Sequence, residues 1–166
     1  MSLEIVAVAL DSPAAAGLIE AVQQEYVTRY GGRDQTPMDP AEFAAPGGGF
    51  LLAELAGVPV GCGGFRTVDD GVAELKRMYV AVPARGQGVA RRLLQALEEA
   101  AAAAGCDRVI LETGTQQPEA IGLYTSSGYR PVPGFGIHRC HDHSRHFGKS
   151  VDSRLPATRR AARMPA

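Results

Sequence analysis

Residues 82–94 read V-P-A-R-G-Q-G-V-A-R-R-L-L, between an apolar run and a run that repeats leucine and alanine at helical spacing. Glycines at 86 and 88 stand where a strand hands over to a helix. Glycine there takes positive φ at low steric cost and lets a ligand come close to the backbone. A helix that starts at this point aims its unpaired N–H groups, and the positive end of its dipole, into the same space. The stretch reads as an anion cradle. It is not a Walker A loop, because no G-x-x-x-x-G-K-[ST] occurs in the chain. It departs from the dinucleotide fingerprint as well, since Arg91 stands where a third glycine or alanine belongs and no second βαβ half follows. What remains is an R-x-x-G-x-A cradle, Arg85 through Ala90.

The flanking sequence sets this turn in an α/β order. Upstream, "LEIVAVA" (3–9) is a first strand, and Ser12-Pro13 caps a helix whose stripe Leu18, Ile19, Val22 and Tyr26 ends near Gly31-Gly32. Asp39-Pro40 is expected to open a short second helix. "FLLAEL" and "VPVGCGGF", split by Ala56-Gly57, form a hairpin, and "VAELKRMYVAV" (72–82) is a longer strand paired to it. Downstream, Val89, Leu93, Leu97 and Ala101 recur every four residues on a helix closed by Gly105. "RVILET" (108–113) is a buried strand, Pro118 to Ser127 a helix closed by Gly128, and "YRPV" and "RHFGKSV" are the last strands. A strand, helix and strand in succession favour a parallel crossover, while the hairpins favour antiparallel pairing, so the sheet is mixed.

Composition bounds the function. Of the 166 residues 45% are hydrophobic and 21% charged, and the formal net charge is −1, so nothing draws the whole chain toward nucleic acid or an anionic membrane. A secretion leader and a membrane-spanning run of 18 apolar residues are not expected. The cysteines Cys62, Cys106 and Cys140 are scattered, which points to a reduced, cytoplasmic setting and offers no acyl-cysteine nucleophile. Residues 1–151 are read as one domain. Residues 152–166 are read as a basic tail with little to pack, expected to be disordered.

Two separated motifs carry a family resemblance: "MYVAVPARGQGVARRLL" and, beyond the strand ending "LET", "AIGLYTSSGYRPV" at 120–132. Together they resemble the GNAT superfamily of acyl-CoA-dependent N-acetyltransferases, over roughly residues 3–150. The resemblance implies a mixed, mostly antiparallel α/β sheet of about six to seven strands flanked by about four helices. It implies acetyl-CoA as cosubstrate, with its pyrophosphate on the turn around Arg85, Gly86, Gln87, Gly88, Val89, Ala90 and Arg91, and its pantetheine arm along Met78, Tyr79 and Val80. Gln117 stands where many relatives carry asparagine, and the longer amide is a further candidate contact to the pantetheine or the acceptor.

Acyl transfer to an amine needs proton removal from the amine, stabilisation of the carbonyl oxygen, protonation of the leaving thiolate and alignment. Tyr124, in "GLYTSSGY", matches the family's proton donor to the thiolate, and a backbone N–H near Val80 is placed to serve the oxyanion. Two glutamates compete as base: Glu74, on the strand leading to the cradle, and Glu112, at the end of the next strand. A salt-bridging role to Lys76, Arg77 or Arg130 is the alternative for either. Acceptor recognition falls to the first helices and the loop before the last strand, with Tyr26 and Tyr30, beside Asp34, as candidate amine contacts and Phe135 as a wall. The partners expected are therefore acetyl-CoA and an amine acceptor. No nucleic acid and no membrane are expected, and an open edge strand allows a homodimer. The cluster His138, Cys140, His141, Asp142, His143 and His146 has no standard zinc-ligand spacing, and no metal site is expected there. An acyl-CoA-binding sensor that kept the cradle and lost turnover is the rival reading.

Overall fold

The computed structural model describes residues 2–152; the tail from residue 153 lies outside them. Seven strands form one sheet: β1 (Leu3–Ala7), β2 (Gly48–Leu55), β3 (Val58–Asp69), β4 (Val72–Val80), β5 (Arg108–Gly114), β6 (Arg130–Pro131) and β7 (Ser144–Ser150). Their order is β1-β2-β3-β4-β5-β7-β6. Only β4 and β5 pair in parallel, and the other neighbours are antiparallel. The helices are α1 (Pro13–Tyr30), α2 (Val89–Ala103) and α3 (Pro118–Ser126), with one 3₁₀ turn at Val82–Ala84. Among the described residues, no helix is long and apolar enough to cross a membrane.

Each helix begins and ends for a local reason. The Ser12 hydroxyl accepts from the Ala15 N–H at 3.3 Å, Pro13 occupies the first turn, and Gly31 at φ +78° closes α1 by donating to the Val27 carbonyl. The helix expected from Asp39-Pro40 does not form, and among the described residues three helices stand where about four were expected. Residues 39–43 make a turn, with the Asp39 carboxylate accepting from the Ala41 N–H at 2.9 Å. Pro40 and Pro46 are too close together for a helix between them, and the residue before a proline is pushed toward extended backbone. Helix α2 is capped at Ala104, and Gly105 (φ +95°), expected to close it, stands one position beyond the cap.

Alternation along the strands divides the core into two layers. Leu51, Phe65, Ala73, Leu75, Val109, Leu111 and Phe147 pack with Leu93, Leu97 and Ala101 of α2 and with Tyr124 and Tyr129. On the other face Phe50, Leu52 and Cys62 pack with Ala15 and Leu18 of α1, and with Phe43. The predicted α2 stripe is fully buried, with Val89, Leu93, Leu97 and Ala101 each 2% exposed or less.

Candidate active site

The site exists because the parallel pair comes apart. β4 and β5 are in register from Val72↔Arg108 to Leu75↔Leu111, and no further pairs follow although both strands continue. The cause lies on the other side of β4. Cys62 of β3 faces Tyr79 while Gly64 faces Lys76, so Arg77 and Met78 together oppose Gly63. This is a β-bulge, and its extra residue, Arg77, has φ +59°, rare for a residue with a side chain. A bulge bends its strand and raises the local twist. β4 therefore leaves β5 at this point.

The bulge is held by its own side chain. Arg77, only 5% exposed, reaches Asp34 beyond the end of α1, and its carbonyl accepts from the Cys62 thiol at 3.4 Å. Burial pushes that thiol up to about 12, against the opposing pull of Arg77, so it stays protonated as a donor. Burial alone would raise Asp34, but Lys76, the two hydrogen bonds from Thr36, and Arg77 outweigh it and hold the carboxyl well below the usual range.

Beside the parting strands lies a cavity of about 470 Å³. One wall is α1, with Tyr26 and Tyr30; the floor is Lys76, Arg77 and Glu112; Gln117 and Tyr124 close the α3 side, and His138, His141 and His143 the fourth. Tyr124 is 6% exposed and stacks edge-on against Tyr129 at 5.6 Å. Burial and the charge of Glu112 both raise its pKa, so the phenol holds its proton through the neutral range. Tyr26 is raised as well, chiefly by burial, with Asp34, Tyr124 and Glu112 adding to the rise and Arg77 opposing it. The Tyr30 hydroxyl accepts from the Gln116 N–H at 3.2 Å and the Gln117 amide at 3.3 Å, tying α1 to the start of α3. It lies so close over Gly114 that a Cβ there would meet the hydroxyl at 1.7 Å.

The glycine turn follows the end of β4, the strand whose Leu75 to Met78 line this cavity. Gly86 and Gly88 have φ +75° and +80°, and a Cβ on either would meet nothing within 4 Å. The Arg85 N–H donates to Val82, and the next backbone bond is Arg92 to Gly88. Between them, the N–H groups of Gly86, Gln87, Gly88, Val89, Ala90 and Arg91 take no acceptor among the described residues. Six consecutive open amides at a helix start suit an anion. Arg85 is drawn away from the turn: its Nε donates to the Val80 carbonyl at 2.8 Å, its guanidinium reaches Glu25 of α1 at 2.7 Å, and it lies over the Tyr79 ring. Arg91 joins α2 to α3 through the hydroxyls of Ser126 and Ser127, at 2.8 and 3.0 Å. The Ala81 N–H is spent on Val60 at 2.7 Å, so by strand alternation the N–H and C=O of Val80 face away from β3.

The two candidate glutamates part company. Glu112 lines the cavity, within electrostatic reach of Tyr124 and Tyr26. Glu74 does not; it accepts from Arg66 at 3.1 Å, one rung inside the paired part of the sheet. Phe135 is also outside the cavity, edge-on to the buried His146 at 4.8 Å. Among the described residues no group of three or more histidine, cysteine, aspartate or glutamate side chains is arranged to hold a metal. Sequence reasoning missed Arg77 and Lys76 as cavity residues. The signal was weak: two adjacent cations in an apolar strand, where alternation alone would send only one inward.

Comparison with known proteins decides the family. The Acetyltransferase (GNAT) family description matches residues 19–129. The chain belongs to the GNAT family. A relative named as an IAA acetyltransferase, of Azospirillum brasilense, is 36% identical over 135 residues, covering 79% of this chain and 88% of the relative. A crystal structure from Klebsiella pneumoniae, named as an acyl-CoA N-acyltransferase, superposes with a TM-score of 0.75 at 30% identity, covering 90% of this chain and 97% of that one. A GNAT acetyltransferase of Elizabethkingia anophelis, with acetyl-CoA bound, shares the fold at 15% identity and a TM-score of 0.64, covering 90% and 98%. The seven-stranded, mostly antiparallel sheet is thus a GNAT fold, and the protein is an acyltransferase.

Proposed function

We propose that the protein moves an acetyl group from acetyl-CoA to a primary amine of a small molecule or peptide, by direct transfer in a ternary complex. The observation that carries this reading is the run of six open backbone amides from Gly86 to Arg91 at the start of α2. The residues fit the cosubstrate. The glycines leave their Cβ positions in open space, the amides match a diphosphate, and Met78 to Val80 offer main-chain groups to a pantetheine amide beside the cavity. The Elizabethkingia neighbour, which has acetyl-CoA bound, supports the same assignment.

Bound acetyl-CoA supplies an activated thioester: the amine forms an N–C bond at its carbonyl carbon, the C–S bond breaks, and the sulfur leaves with the bonding pair. Tyr124 is the group we assign to hand its hydroxyl proton to that sulfur. Glu112 is assigned to take the proton that the amine loses, directly or through water; of the two glutamates it is the one that lines the cavity. The Val80 N–H is assigned to the developing charge on the carbonyl oxygen.

Thiol release from acetyl-CoA across a panel of amino acids, polyamines, aminoglycosides and peptide N-termini tests the reaction, and Tyr124→Phe tests the assignment. The variant should lose about 100-fold or more in kcat with its CoA affinity by calorimetry unchanged. Full activity in Tyr124→Phe removes that tyrosine from the mechanism. No heat with CoA removes the whole reading.

A further inference from the structure

The cavity floor separates two opposite charges that have no answer in each other. Lys76 and Glu112 are the first residues past the last paired rung, Leu75↔Leu111, on β4 and β5 respectively, and both line the cavity. They form no ion pair. Lys76 instead leans toward Asp34, with Nζ 3.6 Å from Oδ2, too long for a strong hydrogen bond. The Glu112 carboxylate has no hydrogen bond or ion pair among the described residues.

Asp34, which the sequence offered as an amine contact, is already saturated. Its Oδ1 accepts from the Thr36 N–H at 2.9 Å and the Thr36 hydroxyl at 2.6 Å, and lies 3.3 Å from His138 Nε2. Its Oδ2 holds Arg77. An incoming ammonium would find no room on this carboxylate and two cations beside it. Lys76 and Arg77 thus share the single carboxylate of Asp34, while Glu112, which balances the floor's charge overall, is ion-paired with neither. Charges held apart in a partly enclosed site are costly unless a ligand bridges them, and Lys76 keeps donors to spare for one.

We propose that the acceptor is a zwitterion, an amine bearing its own carboxylate, with the carboxylate on Lys76 and the amino group toward Glu112 and Tyr124. The proposal rests on the acetyltransferase reading and names its substrate class. Polyamines and aminoglycosides, cationic along their length, would place a second positive charge against Lys76 and Arg77.

The test measures thiol release with free L-amino acids, each beside its own α-carboxamide. In the wild-type protein kcat/KM for the acid should exceed that for the amide by about 10- to 100-fold, the effect of one charge-assisted hydrogen bond. Lys76→Met should bring that ratio close to one, and Lys76→Arg should keep most of it. The wild-type ratio decides even if Lys76→Met does not fold. Equal or better use of the amides, or turnover confined to polyamines, overturns the zwitterion and leaves the acetyltransferase standing. Thiol release that no amine accelerates, from a protein that binds CoA, takes both readings down together.

Discussion

Arg77 joins a backbone conformation to an ion pair: a left-handed residue at the bulge, held by a guanidinium buried against one carboxylate. Asp34→Asn keeps the shape and removes the countercharge, leaving Arg77 buried and unpaired. The expected cost is about 3 kcal/mol of unfolding free energy, read from the midpoint of urea denaturation. The pH dependence has a definite sign. Asp34 titrates lower in the folded protein than in the unfolded chain, so the folded state binds fewer protons. Its contribution is fully present above the unfolded value of about 4 and is lost as pH falls below it toward the folded value. The stability gap between wild type and Asp34→Asn should therefore be constant near neutrality and shrink in acid. A gap that does not change with pH would mean that the cost comes from packing.

At the scale of the elements, the turn before α2 is where backbone conformation and ligand space coincide. Gly88→Ala puts a methyl group on a residue at φ +80°, costing about 1 kcal/mol of stability, and sets that methyl in the open space before the helix. CoA affinity measured by calorimetry should fall by about 10-fold or more, more than the strain alone would give. Equal losses in stability and binding would leave the turn a purely structural feature. This element was legible in the sequence because its signals are local: two glycines, a helical stripe from Val89 to Ala101, and a glycine after the end. The hairpin around Ala56-Gly57 and the capped start of α1 were legible for the same reason. The segment at 39–43 was misread because a capping aspartate followed by proline marks a turn as readily as a helix start. The bulge was not legible, since periodicity in "VAELKRMYV" reveals no skipped residue, and it is the bulge that turns Arg77 and Lys76 both toward the cavity. Glu74 and Glu112 could not be separated for a related reason. Each is a glutamate in an apolar strand, and only the sheet register shows that one meets Arg66 and the other the cavity.

Over the whole molecule, the cavity draws its walls from α1, from β4 and β5, from α3 and from the loop before β7. Such convergence depends on contacts between residues distant in sequence, which local pattern does not report. One of them is the hydroxyl of Tyr30 lying over Gly114. Gly114→Ala forces that ring aside and should raise the acceptor KM several-fold while leaving CoA binding within about two-fold, a split that steady-state kinetics and calorimetry resolve separately. If both constants change together, the ring is supporting the sheet and not the acceptor pocket. Arg85 makes a contact of longer reach, from the carbonyl of Val80 to Glu25, the residue before Tyr26. Wherever a guest on the glycine turn displaces that guanidinium, the shift is delivered to the α1 wall of the cavity. Thermodynamic reciprocity then obliges the two occupants to help or hinder one another by a single shared factor.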